Sequence, residues 1–134
     1  MSIEEQDRYD LIKYRLTEAK DTQTDVELLI AHDRLRAAVN RAYYSMFYSL
    51  MALGLKYEFE TSKHAQLIGW FNKKFIHEGL IDPKFNKIIA KAFNRRTKGD
   101  YDSYIEFDRD TVLEMCEEMK EFNLEIERLV NQNV

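Results

Sequence analysis

The sequence has little of what tight turns need: its 134 residues include four glycines and one proline. An all-β domain of this size requires many such turns. An α/β fold is also disfavoured, because no segment alternates apolar and polar residues between turn residues. The chain is 45% hydrophobic and 13% aromatic, enough to bury a core. We therefore predict an all-α protein that forms one domain over residues 1–134.

Further absences indicate where the protein acts. Cys116 is the single cysteine and can form no internal disulfide, which is typical of a reducing compartment. No apolar run is long enough to cross a membrane, and the acidic start MSIEEQDRYD differs from a secretory signal. We expect a cytoplasmic protein without membrane contact.

Motifs for metals and cofactors are missing as well. His32, His64 and His77 lack the spacing of metal ligands, and neither a Gly-rich phosphate loop nor a nucleophile elbow occurs. The pattern predicts surface or helix-capping histidines, no metal site and no cofactor.

Apolar residues recur at alternating spacings of three and four, the period of amphipathic helices. Five helices are predicted, over residues 4–30, about 34–56, roughly 63–77, 84–98, and from Asp108 or Asp110 onward. The first and last carry matching apolar stripes, which predicts that they pack lengthwise.

Turn and cap residues mark the helix ends. The expected markers are Asp33 before the second helix, Thr61 and Ser62 before the third, Gly79 after it, Asp82-Pro83 before the fourth and Gly99 at its end.

The second helix is apolar on two faces. One face is built around Leu35, Met46 and Leu50, and the other carries Tyr44 and Tyr48. A helix apolar on both sides is normally buried on both sides. We therefore predict that one face serves the core and the other a partner, giving a helical homodimer.

Positive charge is concentrated in residues 61–98, which hold nine basic residues against Glu78 and Asp82 in a chain of net charge −4. On a helix, five of them fall within about 80° of one another. They are Lys84, Lys87, Lys91, Arg95 and Lys98. This lysine stripe predicts binding of phosphate or nucleic acid; the alternative is a solvated face that offsets acidic neighbours.

Arg96 does not join the stripe and falls on the apolar face, where a guanidinium needs a carboxylate, a phosphate or carbonyls. Asp100, Tyr101 and Tyr104 follow it in the segment GDYDSY. One hypothesis is a functional polar cluster of these four residues. The other is an Arg96–Asp100 ion pair that locks the turn, with Tyr101 packed over it.

Three segments together resemble the HEPN superfamily, in particular small prokaryotic members often encoded beside a minimal nucleotidyltransferase. They are RLRAAVNRAYYSMFYSLMALG, SKHAQLIGWFNKKFIHEGLI and FNRRTKGDYDSY. The resemblance covers essentially the whole chain. It implies an up-and-down helical bundle that dimerises, with its arginine motifs facing each other across a cleft.

The resemblance also implies metal-independent RNA cleavage by toxins of toxin–antitoxin or defence systems. Active members carry an arginine followed four to six residues later by a histidine. Arg96 matches the arginine, but Asp100 or Tyr101 stands in the histidine's place, and no histidine follows His77.

Two functions are therefore open. In the first, a homodimeric toxin-like endoribonuclease holds the scissile phosphate with Arg96, and Asp100 or Tyr101 assists proton transfer or orientation. In the second, a non-catalytic module binds a nucleotide or a partner nucleotidyltransferase. In some relatives that partner, acting as antitoxin, attaches AMP to a tyrosine beside the motif, which points to Tyr104 or Tyr101.

Overall fold

A computed structural model describes residues 2–133, and its regular structure in that range is entirely helical. The helices are α1 (Ile3–Ala31), α2 (Leu35–Lys56), α3 (His64–Phe71), α4 (Lys84–Tyr101) and α5 (Arg109–Asn131). A π-helical turn, Asn72–Ile76, continues α3 without a break. The all-α prediction with five helices is confirmed. Of the predicted domain, Met1 and Val134 lie outside the described residues.

Several predicted helix ends are confirmed by local hydrogen bonds. The Asp108 side chain accepts from Thr111 N at 2.8 Å and caps α5. The Asp82 carboxylate accepts from Lys84 N at 2.8 Å at the start of α4. Gly79 has a φ of 72°, the left-handed conformation that lets the chain turn after the π-helical segment.

Two predicted caps are wrong. Asp33 adopts a φ of 58° in the turn, and Arg34, which precedes α2, makes no side-chain cap. Thr61 and Ser62 lie too early, because Lys63 directly precedes α3. The Thr61 hydroxyl instead accepts from Lys63 N at 3.1 Å and stabilises the approach to the helix.

Gly99 does not end α4, which continues to Tyr101. The glycine is buried within the helix, and a Cβ there would lie 3.1 Å from the Phe107 ring. Close packing of the α4–α5 loop, rather than chain reversal, is therefore what favours glycine at this position.

The central element is α2, which packs against α1, α3, α4 and α5. Tyr43, Met46 and Leu50 on α2 are fully buried with Phe71 and Phe122. Tyr44 and Tyr48, on the face predicted to meet a partner, are half-buried within the chain.

The predicted packing of α1 along α5 is present over the second half of α1, but it is the main contact of neither helix. Because α2 is apolar on two faces, it takes α1 as its most extensive neighbour and also packs along α5. The contacts between α1 and α5 are fewer and include polar ones, such as the bond from Asn123 Nδ2 to Gln23 Oε1 at 3.1 Å and the Lys20–Glu127 ion pair at 3.0 Å.

Across residues 2–133, no helix has the combined length and hydrophobicity that a membrane span requires.

Gly54→Ala should lower the free energy of unfolding by about 1–3 kcal/mol, because overpacking displaces neighbours. An added Cβ would lie 2.6 Å from the Phe59 carbonyl oxygen, a backbone atom that cannot simply rotate away. Gly69→Ala is the matched control: nothing lies within 4 Å of the Cβ position, and alanine is the better helix former. Urea denaturation of both variants measures the difference. Equal stability changes would contradict the packing argument.

Candidate functional site

Arg96 lies on α4 and points inward, as its position on the apolar face predicted. Only 12% of its side chain is exposed. Its guanidinium carbon lies 5.1 Å from the ring centre of Tyr43, 5.6 Å from that of Tyr44 and 5.3 Å from that of Phe93. Three electron-rich ring faces thus hold one cation, an arrangement that stabilises the charge and fixes its position.

The polar partners of Arg96 are few. Its Nη1 donates to Asp100 Oδ2 at 3.3 Å, and Asp100 Oδ1 accepts from Asn40 Nδ2 at 3.2 Å. The buried Nε has no hydrogen-bond partner within residues 2–133. The predicted Arg96–Asp100 ion pair is therefore present, but it leaves one guanidinium N–H unsatisfied, which costs free energy.

His64 is the histidine that could take the place of the missing motif histidine only by coming from another helix, and the structure places it there. It begins α3, is half-buried, and stacks on Phe47 with the ring centres 4.1 Å apart. Its Nδ1 lies 2.6 Å from the hydroxyl of the fully buried Tyr43, whose ring Arg96 covers. The prediction of a surface or capping histidine is wrong here: the fold brings a histidine to Arg96 from a different helix.

The hydrogen bond between Tyr43 and His64 assigns the histidine tautomer. Within the described residues, the only acceptor for the buried Tyr43 hydroxyl is His64 Nδ1, so the hydroxyl donates to it. The Nε2 atom then carries the ring proton. It bonds to no described residue and is not among the buried unpaired atoms, so it opens to solvent.

Burial, and then the nearby Arg96 charge, lowers the pKa of His64 below its ordinary value. Burial raises the pKa of Tyr43, which keeps its hydroxyl protonated. In the free protein the site therefore presents a neutral Nε2–H beside a fixed guanidinium. Both groups donate hydrogen bonds, which suits a phosphate oxygen.

Tyr101 and Tyr104 do not join Arg96, so the predicted cluster of four is wrong in this respect. They are 83% and 93% exposed, and Tyr101 does not pack over the ion pair. Arg36 fixes the backbone around the two tyrosines. Its guanidinium donates to the carbonyl oxygen of Gly99, before Tyr101, and to that of Asp102, between Tyr101 and Tyr104. The tyrosines extend outward from a fixed backbone.

The lysine stripe is partly neutralised by α5. Lys84 pairs with Glu121 at 3.1 Å, and Lys91 pairs with Glu118 at 2.8 Å and Glu114 at 3.8 Å. The alternative of a face that offsets acidic neighbours therefore holds for Lys84 and Lys91, although the sequence alone could not say which acidic residues they meet.

The remaining stripe residues differ among themselves. Arg95 is half-buried, with one terminal nitrogen lacking a partner among the described residues. Lys87 and Lys98 are exposed and form no ion pair within residues 2–133. Two lysines are thus left to meet an external anion on this face.

The described residues bring together no group of three or more side chains that could hold a metal ion.

Comparison with known proteins gives consistent matches. The family model of the HEPN domain matches residues 12–129. A UPF0332 protein of Thermotoga maritima is 32% identical over 120 residues, which cover 90% of this chain and 91% of that protein. Two proteins of Methanocaldococcus jannaschii, each named “Putative toxin”, are also similar. One is 37% identical over 62% of both chains, and the other 40% identical over 54% of this chain and 50% of its own.

Proposed function

Because the chain belongs to the HEPN domain family, we propose that it is a toxin-like endoribonuclease that cleaves RNA without a metal ion. The observation that carries this proposal is the placement of His64 beside Arg96, through Tyr43. It supplies the histidine that the arginine motif lacks. The names of the two archaeal relatives support a toxin role.

In this proposal Arg96 binds the non-bridging oxygens of one phosphodiester, and His64 Nε2–H donates to the 5′ oxygen that leaves. Asp100, bonded to Arg96 and Asn40, accepts the proton of the ribose 2′-hydroxyl as its oxygen forms a bond to phosphorus. The bond from phosphorus to the 5′ oxygen breaks. Bound phosphate favours the imidazolium form of His64, which gives the leaving oxygen its proton, and water restores both groups.

We also propose that two copies of the chain form the cleft in the cytoplasm and that a nucleotidyltransferase acts as antitoxin. The exposure of Tyr104 and Tyr101 supports modification there, because their hydroxyls are open to a second enzyme. An adenylate on either would add negative charge near Arg96 and oppose RNA binding.

A second candidate is a non-catalytic module that binds a nucleotide or the partner nucleotidyltransferase. The Arg96–Asp100 pair favours it, since a carboxylate already accepts from Nη1 of the guanidinium. Binding of RNA or nucleotide without cleavage would identify this function.

The test uses purified protein, RNA and EDTA. We expect fragments with 2′,3′-cyclic phosphate and 5′-hydroxyl ends, and no cleavage of a matched oligonucleotide with 2′-deoxyribose at the cleaved position, because the nucleophile is then missing. Mass spectrometry of the fragments identifies the ends. Cleavage of the deoxy-substituted strand would contradict the mechanism, and loss of all cleavage in EDTA would contradict metal independence.

A further inference from the structure

A groove lined by arginines opens beside the Arg96 site. It has a volume of about 720 Å³ and lies between the turn joining α1 to α2, the first turns of α2 and the end of α4. Arg34, Arg36 and Arg41 line it, together with Asp33 and Asp100. The groove is open to solvent along the surface rather than enclosed.

The charges in this groove do not cancel. Both carboxylates of the groove pair with arginines that do not line it. Asp33 pairs with Arg109 at 3.4 Å, and Asp100 pairs with Arg96 at 3.3 Å. None of the three lining arginines forms an ion pair with a carboxylate of residues 2–133. The groove therefore keeps an excess of positive charge in a protein of net charge −4.

Two of these arginines are free to bind a ligand. Arg36 is committed to carbonyl oxygens of the α4–α5 segment. The exposed Arg34 makes no side-chain hydrogen bond within the described residues, and Arg41 donates only to the Oδ1 of its neighbour Asn40, at 3.1 and 3.0 Å. Unsatisfied guanidinium donors suit phosphates, which accept two parallel hydrogen bonds.

Tyr44 connects the groove to the Arg96 site. Its ring centre lies 4.9 Å from the Arg41 guanidinium carbon and 5.6 Å from that of Arg96. Two guanidiniums at one ring repel each other, and anions binding at both would relieve the repulsion. A ligand with successive phosphates spans the two positions, which a single small anion does not.

We propose that this groove binds the phosphate backbone of RNA that flanks the phosphodiester held at Arg96, with Arg34 and Arg41 contacting the flanking phosphates. The proposal rests on the proposed function and adds the path of the strand. It places the main electrostatic contact at the start of α2, on Arg34 before the helix and Arg41 within it, rather than on the lysine stripe of α4.

The test compares Arg34→Gln/Arg41→Gln with Lys13→Gln/Lys73→Gln, which removes the same charge from exposed lysines elsewhere. The probes are a 2′-O-methyl RNA oligonucleotide, which resists cleavage, and a 2′-O-methyl dinucleotide with one phosphate. Loss of two phosphate contacts should weaken oligonucleotide binding about tenfold or more at low salt and reduce the salt slope by about 1.4. The affinity of the arginine variant for the dinucleotide should stay unchanged. The lysine control should bind both the oligonucleotide and the dinucleotide as the wild type does.

If the double variant does not fold, Arg34→Gln alone is measured instead. About half of the change in the salt dependence of oligonucleotide binding is then expected. The groove assignment is overturned if affinity and slope are unchanged, if the lysine control loses as much, or if the wild type binds no oligonucleotide. Failure of the proposed function has a separate signature: cleavage that persists in Arg96→Ala, whatever the groove variants do to binding.

Discussion

Arg96→Ala should abolish RNA cleavage and dinucleotide binding while the helical bundle stays folded. The guanidinium is held by three rings and one carboxylate, with its Nε unpartnered in the described residues. An inward cation in such a place costs desolvation that leucine would avoid. The inward position of Arg96 is therefore better explained by binding of an external anion than by a contribution to the stability of the fold.

The stability measurement separates this from a structural role. If Arg96 served mainly to clamp Asp100 as a buried pair, its loss would cost about 3–5 kcal/mol. The Asp100 side chain is 35% exposed, so we expect the ion pair itself to contribute nearer what a surface pair does, about 1 kcal/mol or less. Loss of the Arg96 packing against three rings adds to that cost. Thermal melts of Arg96→Ala beside Lys98→Ala, an exposed neighbour, give the comparison.

Arg96→Lys is the informative second variant. It keeps the charge but not the planar fork that binds two oxygens, so cleavage should remain at least about tenfold below wild type even if the fold is fully stable. Full activity in Arg96→Lys, or a collapsed melting temperature in Arg96→Ala with ligand binding intact, would remove Arg96 from the centre of the site.

The helices were predictable because their signals are local. The three-four periodicity of α5, the Asp108 cap and the Asp82 bond at the start of α4 all involve residues a few positions apart, and both hydrogen bonds are present. Gly99 was wrongly predicted to end α4, because the need for glycine there comes from tertiary packing: the Phe107 ring lies against it. The main neighbour of α1 is α2 rather than α5, and matching stripes on α1 and α5 could not show this, because they do not say which of several apolar faces a helix meets.

The site was predictable only where one helix carries it. Arg96 and Asp100 are four residues apart on α4, so their pairing follows from helical geometry. His64 and Tyr43 reach the same place from α3 and α2, and their separation in sequence gives no sign of a 2.6 Å contact. The exposed positions of Tyr101 and Tyr104 likewise depend on the clamp formed by Arg36.

His64→Ala should lower RNA cleavage by about 10²–10⁴-fold, the usual contribution of a positioned acid or base. His32→Ala and His77→Ala remove the other two histidines and should leave cleavage unchanged, because neither lies among the Arg96 contacts. Single-turnover cleavage rates measure the effect. Wild-type rates in His64→Ala would show that the stacked histidine only fills space.

The pH dependence of stability follows from the lowered pKa of His64. An unfolded histidine takes up its proton near pH 6.5, whereas the folded one does so at lower pH because of burial and the Arg96 charge. The unfolded state binds more protons in between, so the wild type loses stability as pH falls below about 6.5. His64→Ala should lose less over that window. Equal losses in both proteins would contradict the shift.

Tyr43→Phe tests the hydrogen bond that orients the histidine. Phenylalanine keeps the ring under Arg96 and in contact with Phe93, whose ring centre is 5.6 Å away, but it removes the only described partner of Nδ1. Tyr43 acts through His64, so the cleavage rate should fall while dinucleotide affinity changes little. The decisive readout is the ¹⁵N chemical shifts of His64: the wild type should show protonated Nε2 and bare Nδ1, and Tyr43→Phe a mixture of tautomers. A single unchanged tautomer in the variant would mean that stacking on Phe47 alone orients the ring, and Tyr43 would then have no positioning role.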